Sequence, residues 1–305
     1  MAYLSLAALQ LELCVEDNLS LLEKEIALVR KRFPWVQMVV LPELCTFGPG
    51  TDLAVSLPGE VESCFREAAR DNELWLIPGS IFERRGQDIF NTAPVINPKG
   101  EVVARYSKQY PFLPYEKGVS AGDRSVVFDV PGAGRIGLII CYDMWFPETV
   151  RTLAWMGAEA VICPSLTNTI DREVELAIAR SNAATNQVYF LNVNSAGRLA
   201  VGQSICVGPD GQVIHRAGTG REVITVELDF GHVRRVRERG LHGLCQTLKS
   251  FRDHRVGFPP YADAQADPGA FAQLGPLTMP EREPPKDAET EDWTTRQGRT
   301  GSIPG

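Results

Sequence analysis

The sequence predicts an α/β fold in which a layered sheet is covered by helices and parallel and antiparallel pairing are mixed. Three observations carry this. Short apolar runs alternate with segments of helical periodicity, two turn-rich segments read as hairpins, and 305 residues with 44% hydrophobic content are enough to bury a large core.

The elements follow in chain order. Residues 1–9 read as a first strand rather than a signal peptide, because they lack a basic leader and polar Gln10 and Glu12 interrupt the apolar run. Leu22, Ile26, Val29 and Phe33 recur at helical spacing over residues 18–33, with Asn18 as the N-cap. Residues 38–41 and 74–77 read as buried strands, with a helix over 60–72 between them. Asn97-Pro98-Lys99-Gly100 reads as a hairpin turn leading into a strand over 101–106, and residues 208–212 read as a second hairpin turn. Strands are expected over 137–140, 160–163 and 188–193, and helices beginning at Pro147 and over 172–187. From Val256 the character changes, with eight prolines and six glycines in the last 50 residues. The expected organisation is therefore one domain over residues 1–255, then an arm or tail over 256–305 that is disordered at least beyond Pro280.

A net charge of −7 gives no general attraction for nucleic acid or anionic lipid, so small-molecule chemistry is the expected class. No segment offers about 18 uninterrupted apolar residues for a membrane span. The seven cysteines are odd in number, scattered and never in a CxxC pair, which reads as reduced thiols in a cytoplasmic protein without zinc spacing. A Rossmann-type nucleotide site is disfavoured, since no Gly-rich turn follows an early strand.

Cys141 stands where a buried strand hands over to a helix start, in Ile140-Cys141-Tyr142-Asp143-Met144-Trp145-Phe146-Pro147-Glu148. A residue there projects into the crevice outside the strand ends, and the amides and dipole of the following helix are expected to favour the thiolate. The alternative is a structural cysteine. None of His215, His232, His242 and His254 occupies an informative motif, so a Cys-His dyad is the weaker option. Glu43, in Leu41-Pro42-Glu43, ends another buried strand and can shuttle a proton if burial raises its pKa; capping the next turn is the competing role. Lys108 leaves the strand ending at Tyr106 among aromatic and proline neighbours, where it can place positive charge near an oxyanion, with Glu116 orienting it or the attacking water.

Leu41-Pro42-Glu43, then Lys108 with Pro111, then Ile139-Ile140-Cys141-Tyr142-Asp143 with Pro147-Glu148 closely resemble the three signature blocks of the nitrilase, or carbon–nitrogen hydrolase, superfamily. The resemblance runs in register over residues 2–253 and includes Gly79-Ser80, Asn91-Thr92-Ala93 and Gly202-Gln203-Ser204. It implies a four-layer αββα sandwich with mixed sheets and a Glu43–Lys108–Cys141 triad supported by Glu116. It further implies no metal or other cofactor, and a homodimer or larger homo-oligomer with the helices after Pro147 and over 172–187 meeting across a two-fold axis. By similarity Cys141 attacks an amide carbonyl to form a thioester, Glu43 moves the protons, and Lys108 with the Tyr142 N–H holds the oxyanion. Trp145 belongs to the pocket, and Tyr115, Asn168 and Arg172 are candidate substrate contacts.

Cys141-Tyr142-Asp143 resembles the amidase branches rather than the Cys-Trp-Glu of nitrilases. Branches that bind a substrate carboxylate carry an arginine shortly afterwards, where this chain has Met144-Trp145-Phe146. A small neutral, partly apolar amide is therefore the expected substrate, with Arg172 or Arg180 as the source of any missing charge. Nitrile hydrolysis, carbamoyl hydrolysis or acyl transfer on the same triad, and a non-catalytic binding protein on this fold, are the alternatives. Thr185-Asn186-Gln187 departs from the Glu-Asn-Gln of many relatives and is expected to alter a pocket wall or helix contact.

Overall fold

The computed structural model describes residues 2–241, 243–255, 257–258 and 277–279. The expected arm over 256–305 and His242 lie almost wholly outside the described residues. The first half of the chain supplies β1 (Tyr3–Gln10), β2 (Glu12–Leu13), α1 (Leu19–Arg32), β3 (Met38–Val40), α2 (Glu60–Asp71), β4 (Trp75–Ile77), β5 (Ile81–Arg85), β6 (Asp88–Ile96), β7 (Val102–Ser107) and β8 (Val119–Ser120). The second half supplies β9 (Val126–Val130), β10 (Gly134–Leu138), α3 (Pro147–Trp155), β11 (Ala160–Ser165), α4 (Arg172–Asn186), β12 (Tyr189–Asn194), β13 (Ala196–Gly197), β14 (Ile205–Val207), β15 (Val213–Arg216), β16 (Glu222–Asp229), α5 (Phe230–Arg239) and α6 (Thr247–Asp253).

Two sheets share one plan. The larger runs β16-β1-β3-β4-β6-β5, with β7 and β8 also on β6; the smaller runs β15-β14-β12-β11-β10-β9. Each has three parallel strands at its centre, β1-β3-β4 and β10-β11-β12, flanked by antiparallel ones. Both predicted hairpins are present, as β6-β7 and β14-β15.

Period-two alternation sorts side chains between layers. Leu4, Leu6 and Ala8 of β1, with Met38 and Val40 of β3, join a core that includes Phe128, Ile136, Leu138 and Ile162 of the smaller sheet. The residues between them, Ala7, Leu9 and Val39, face the other way, onto Leu22, Ile26 and Val29 of α1 and Phe65 and Ala69 of α2. Each fully buried leucine of this kind contributes roughly 1.5–3 kcal/mol. On the smaller sheet, a Cβ at Gly137 would lie 2.8 Å from Leu153, so the bare backbone of β10 is what lets α3 pack against it. The layers are therefore helix, sheet, sheet, helix, as the αββα expectation has it. Trp75 of β4 stacks on Phe128 of β9 at 6.0 Å between ring centroids.

One local expectation holds in position but not in its hydrogen bond. Asn18 stands at the N-cap position of α1, but its side chain makes no capping bond. Its amide donates instead to the carbonyls of Cys14, Glu16 and Cys45, at 3.0, 3.1 and 3.2 Å, tying two loops together, while Asp17 Oδ1 accepts from the Leu19 N–H at 2.9 Å. No helix among the described residues is long and apolar enough to cross a membrane.

The turn after β3 depends on Gly79. Its φ is +72°, and a Cβ there would lie 1.7 Å from the Pro42 carbonyl oxygen. The neighbouring Ser80 hydroxyl accepts from the Leu44 N–H at 3.2 Å, so this close approach fixes the backbone on both sides of Glu43. Gly79→Ala should therefore lower unfolding free energy in urea by about 3 kcal/mol or more. Wild-type stability in that variant would contradict the packing described.

Candidate active site

Four strand ends open onto one cavity of about 590 Å³. Glu43 follows β3, Lys108 follows β7, Cys141 follows β10, and the segment 166–171 follows β11. Glu43, Lys108, Glu116, Cys141, Tyr142, Trp145, Tyr115 and Asn168, all expected near the chemistry, line it.

Lys108 is the hub. The backbone of β7 continues its pairing one residue past Ser107, with the Lys108 N–H donating to the Asn91 carbonyl at 2.8 Å. From there Nζ donates to Glu43 Oε1 and to Glu116 Oε2, each at 2.9 Å. Asn91, fully buried, donates its amide to the same two carboxylates, at 2.8 Å to Glu43 and 3.2 Å to Glu116. The Phe112 N–H also donates to Glu116 Oε2. Glu43 therefore belongs to a buried charge network and not to a turn cap.

Burial raises the Glu43 carboxyl above its ordinary 4.5; the Lys108 ammonium pulls it down, the charge of Glu116 pushes it up, and hydrogen bonds from Lys108 and the Cys141 thiol again lower it. Burial alone would depress Lys108, but Glu43, Cys141 and Glu116 around it outweigh that and hold it well above its usual 10.5. The ammonium form is thereby secured.

Cys141 is buried and has φ +47°, a left-handed conformation in which a Cβ costs roughly 1–2 kcal/mol. The strain is held by Asp143. Its carboxylate accepts from the Ile140 N–H at 2.9 Å, the Tyr110 N–H at 2.9 Å and the Tyr106 hydroxyl at 2.7 Å. Tyr106 sits on β7 and Tyr110 on the Lys108 loop, so this one carboxylate clamps the cysteine turn of the smaller sheet onto the loop of the larger. Burial pushes Asp143 up to about 6 against the donors that lower it. From the outer helix, Asn182 Nδ2 donates to the Met144 carbonyl at 2.9 Å.

The expected thiolate is not supported. The residues after Cys141 form a short 3-10 turn, Cys141–Trp145, and α3 begins only at Pro147. Burial raises the thiol well above its ordinary 9.0, the charge of Glu43 adds to this, and Lys108 and the Leu166 N–H only partly offset it. Burial thus favours a neutral thiol at rest, with Glu43 as the carboxylate acting on it.

Arg172 is also corrected. It is buried but does not line the cavity; Nη1 donates to Glu175 Oε2 at 2.9 Å and Nη2 to the Gln203 carbonyl at 2.8 Å. Its partner Glu175, which sequence reasoning missed inside a charged helix start, is the residue that faces the cavity. Arg180 is spent on the Gly211 carbonyl at 3.3 Å. Thr185 and Asn186 border a separate cleft with α3, away from the catalytic cavity. His215 pairs with Glu222, and none of the described histidines lines the cavity. Phe112, Tyr142 and Trp145 form an aromatic wall, with Phe112 and Tyr142 centroids 4.9 Å apart. Tyr115 stacks on Phe112 at 4.9 Å.

Comparison with known proteins assigns the class. The carbon–nitrogen hydrolase family profile matches residues 5–238, and the chain belongs to that family. Formamidases of Bacillus thuringiensis (strain Al Hakam) and Bacillus cereus (strain AH820) are each 33% identical over 192 residues, covering 60% of this chain. The chain's match spans 57% of the length of these curated relatives. A Saccharomyces cerevisiae member of branch 10 of the nitrilase superfamily superposes with TM-score 0.72 at 30% identity, over 78% of this chain and 94% of that one. An amidase from Nesterenkonia sp. superposes with TM-score 0.69 at 26% identity, over 77% and 94% of the two chains, and a further similar structure is a cysteine-to-alanine mutant of the Nesterenkonia sp. AN1 amidase in complex with butyramide.

A thiol held neutral by burial makes a kinetic prediction. Alkylation of Cys141 by iodoacetamide, followed by peptide mass spectrometry, should rise about tenfold per pH unit through pH 9 without levelling. A plateau between pH 7 and 9 would mean a thiolate already formed.

Proposed function

We propose that the protein hydrolyses small, uncharged, partly apolar amides to a carboxylic acid and ammonia through a thioester on Cys141. The observation that carries this is the convergence of the Cys141 thiol, the Glu43 carboxylate and the Lys108 ammonium, with Glu116 behind them, on one cavity. Membership of the carbon–nitrogen hydrolase family and likeness to formamidases and an amidase support it.

The steps follow from the resting protonation states. As the sulfur attacks the amide carbonyl, its proton passes to Glu43 and an S–C bond forms. The oxyanion is met by Lys108 and by the Tyr142 N–H, one of the first amides of the 3-10 turn and so without an intrahelical acceptor. Each such donor is worth about 3 kcal/mol of transition-state stabilisation. Glu43 then gives its proton to the leaving nitrogen, the C–N bond breaks and ammonia departs. Water, deprotonated by Glu43, attacks the thioester; the S–C bond breaks, the acid leaves and the thiol recovers its proton. Glu116, bonded to Lys108 and Asn91, fixes the ammonium and borders the space for water.

The amide reading is preferred to the nitrile one on Cys141-Tyr142-Asp143, and the aromatic wall suits an apolar acyl group better than a free carboxylate.

Two outcomes are expected. Cys141→Ala should reduce ammonia release from formamide, propionamide and butyramide by about 10⁴-fold or more while keeping the wild-type melting temperature; retained hydrolysis would remove the mechanism. Because Glu43 must be ionised and its carboxyl is raised above 4.5, kcat/KM should fall on an acid limb lying above pH 4.5. With both Cys141 and Lys108 titrating above their ordinary 9.0 and 10.5, activity should hold level to pH 9. A basic limb below pH 8 would contradict this assignment.

A further inference from the structure

We propose that Glu175 selects the substrate, its Oε1 accepting a hydrogen bond from a hydroxyl group carried on the acyl part of the amide. This deepens, and rests on, the amide-hydrolase reading above.

The starting point is an inversion of polarity. An arginine was the group expected to meet the substrate from the start of α4, but Arg172 lies behind the wall and the carboxylate it holds is what borders the cavity. Glu175 is only 3% exposed, so its charge must be compensated. Arg172 supplies this through Oε2 at 2.9 Å and is itself anchored on the Gln203 carbonyl at 2.8 Å. The other oxygen is poorly served. Oε1 has the Trp145 Nε1–H at 3.5 Å, at the outer limit for a hydrogen bond. Trp145, the partner of Oε1, lines the cavity together with Glu175, and Arg172, the partner of Oε2, does not.

A charged, largely buried acceptor with lone pairs to spare is a strong recognition element for a donor and a poor neighbour for a methyl group or an anion. Leaving such a group unmatched is what lets a polar site reject an isostere that lacks the donor. Glu175 also reaches the nucleophile electrostatically, since it contributes to raising the Cys141 thiol. A substrate seated on Cys141 therefore has its acyl group within the influence of this carboxylate, in the cavity that Trp145 and the 166–171 segment also line.

The test uses pairs of amides that differ only by hydroxyl against methyl at the chain end: 2-hydroxyacetamide with propionamide, 3-hydroxypropionamide with butyramide, 4-hydroxybutyramide with valeramide. The quantity read is the ratio of kcat/KM within each pair. In the wild type the hydroxy amide should be favoured by about tenfold or more at the chain length that reaches Oε1. E175Q keeps the shape but exchanges the charged acceptor for a neutral amide, whose NH2 offers the hydroxyl oxygen only a neutral hydrogen bond, so the ratio at that length should fall at least about fivefold. W145F removes the competing N–H and should keep or raise the ratio.

The same pairs measured by calorimetry on the Cys141→Ala protein read selection by binding without turnover. If no amide is hydrolysed, the amide-hydrolase reading fails, while a binding preference abolished by E175Q still supports Glu175 as the selector. Ratios near one at every length in the wild type, or a preference undiminished in E175Q, would overturn the inference. Should E175Q not fold, the wild-type ratios decide: equal rates overturn it, and a preference that W145F keeps or increases supports it.

Discussion

The ammonium of Lys108, sealed between the carboxylates of Glu43 and Glu116, is the interaction on which the site depends. All three groups come from the larger sheet and its loops, whereas the sulfur they serve comes from the smaller. An ion network this buried is held by its completeness: removing one member leaves an unpaired charge at a cost of about 3–5 kcal/mol. Asn91 completes it by donating to both acids and by accepting the Lys108 N–H with its carbonyl, so the strand pairing that builds the sheet also aims the lysine.

Bringing the sulfur to this network requires the two sheets to agree on a position, and a second buried carboxylate does that work. Asp143 takes three donors, one from its own turn and two from β7 and the lysine loop, and so fixes both the left-handed backbone of Cys141 and its distance from the charges. A thiol that stays protonated until it attacks follows from the same burial. Glu43 is then needed as an acceptor at the moment of reaction, which is a different division of labour from a preformed thiolate.

Much of this was legible in the sequence, for a physical reason. Strand ends are readable from apolar runs bounded by Pro, Gly and charge, and the residues that follow strand ends are the ones a layered sheet presents to its cavity; Glu43, Lys108 and Cys141 were found that way, and the ordered motifs linked them. Side-chain partnership was not readable. Arg172 and Glu175 stand three residues apart on one helix, and the sequence does not say which of the two turns to the cavity and which to the protein behind it. Asn91 lies inside a strand with no local sign of its bond to Glu43, 48 residues earlier. A thiolate expected from the following turn and its dipole is not favoured at Cys141, because desolvation is the larger effect at a buried sulfur.

The most direct test of the central claim is a carbon-13 NMR titration of the Glu43 carboxyl in the wild-type protein and in Lys108→Met. Glu43 should titrate above 4.5 in the wild type and at least about one pH unit higher without the ammonium. A carboxyl that titrates at the same pH in both proteins would mean that Lys108 does not govern the charge of the site.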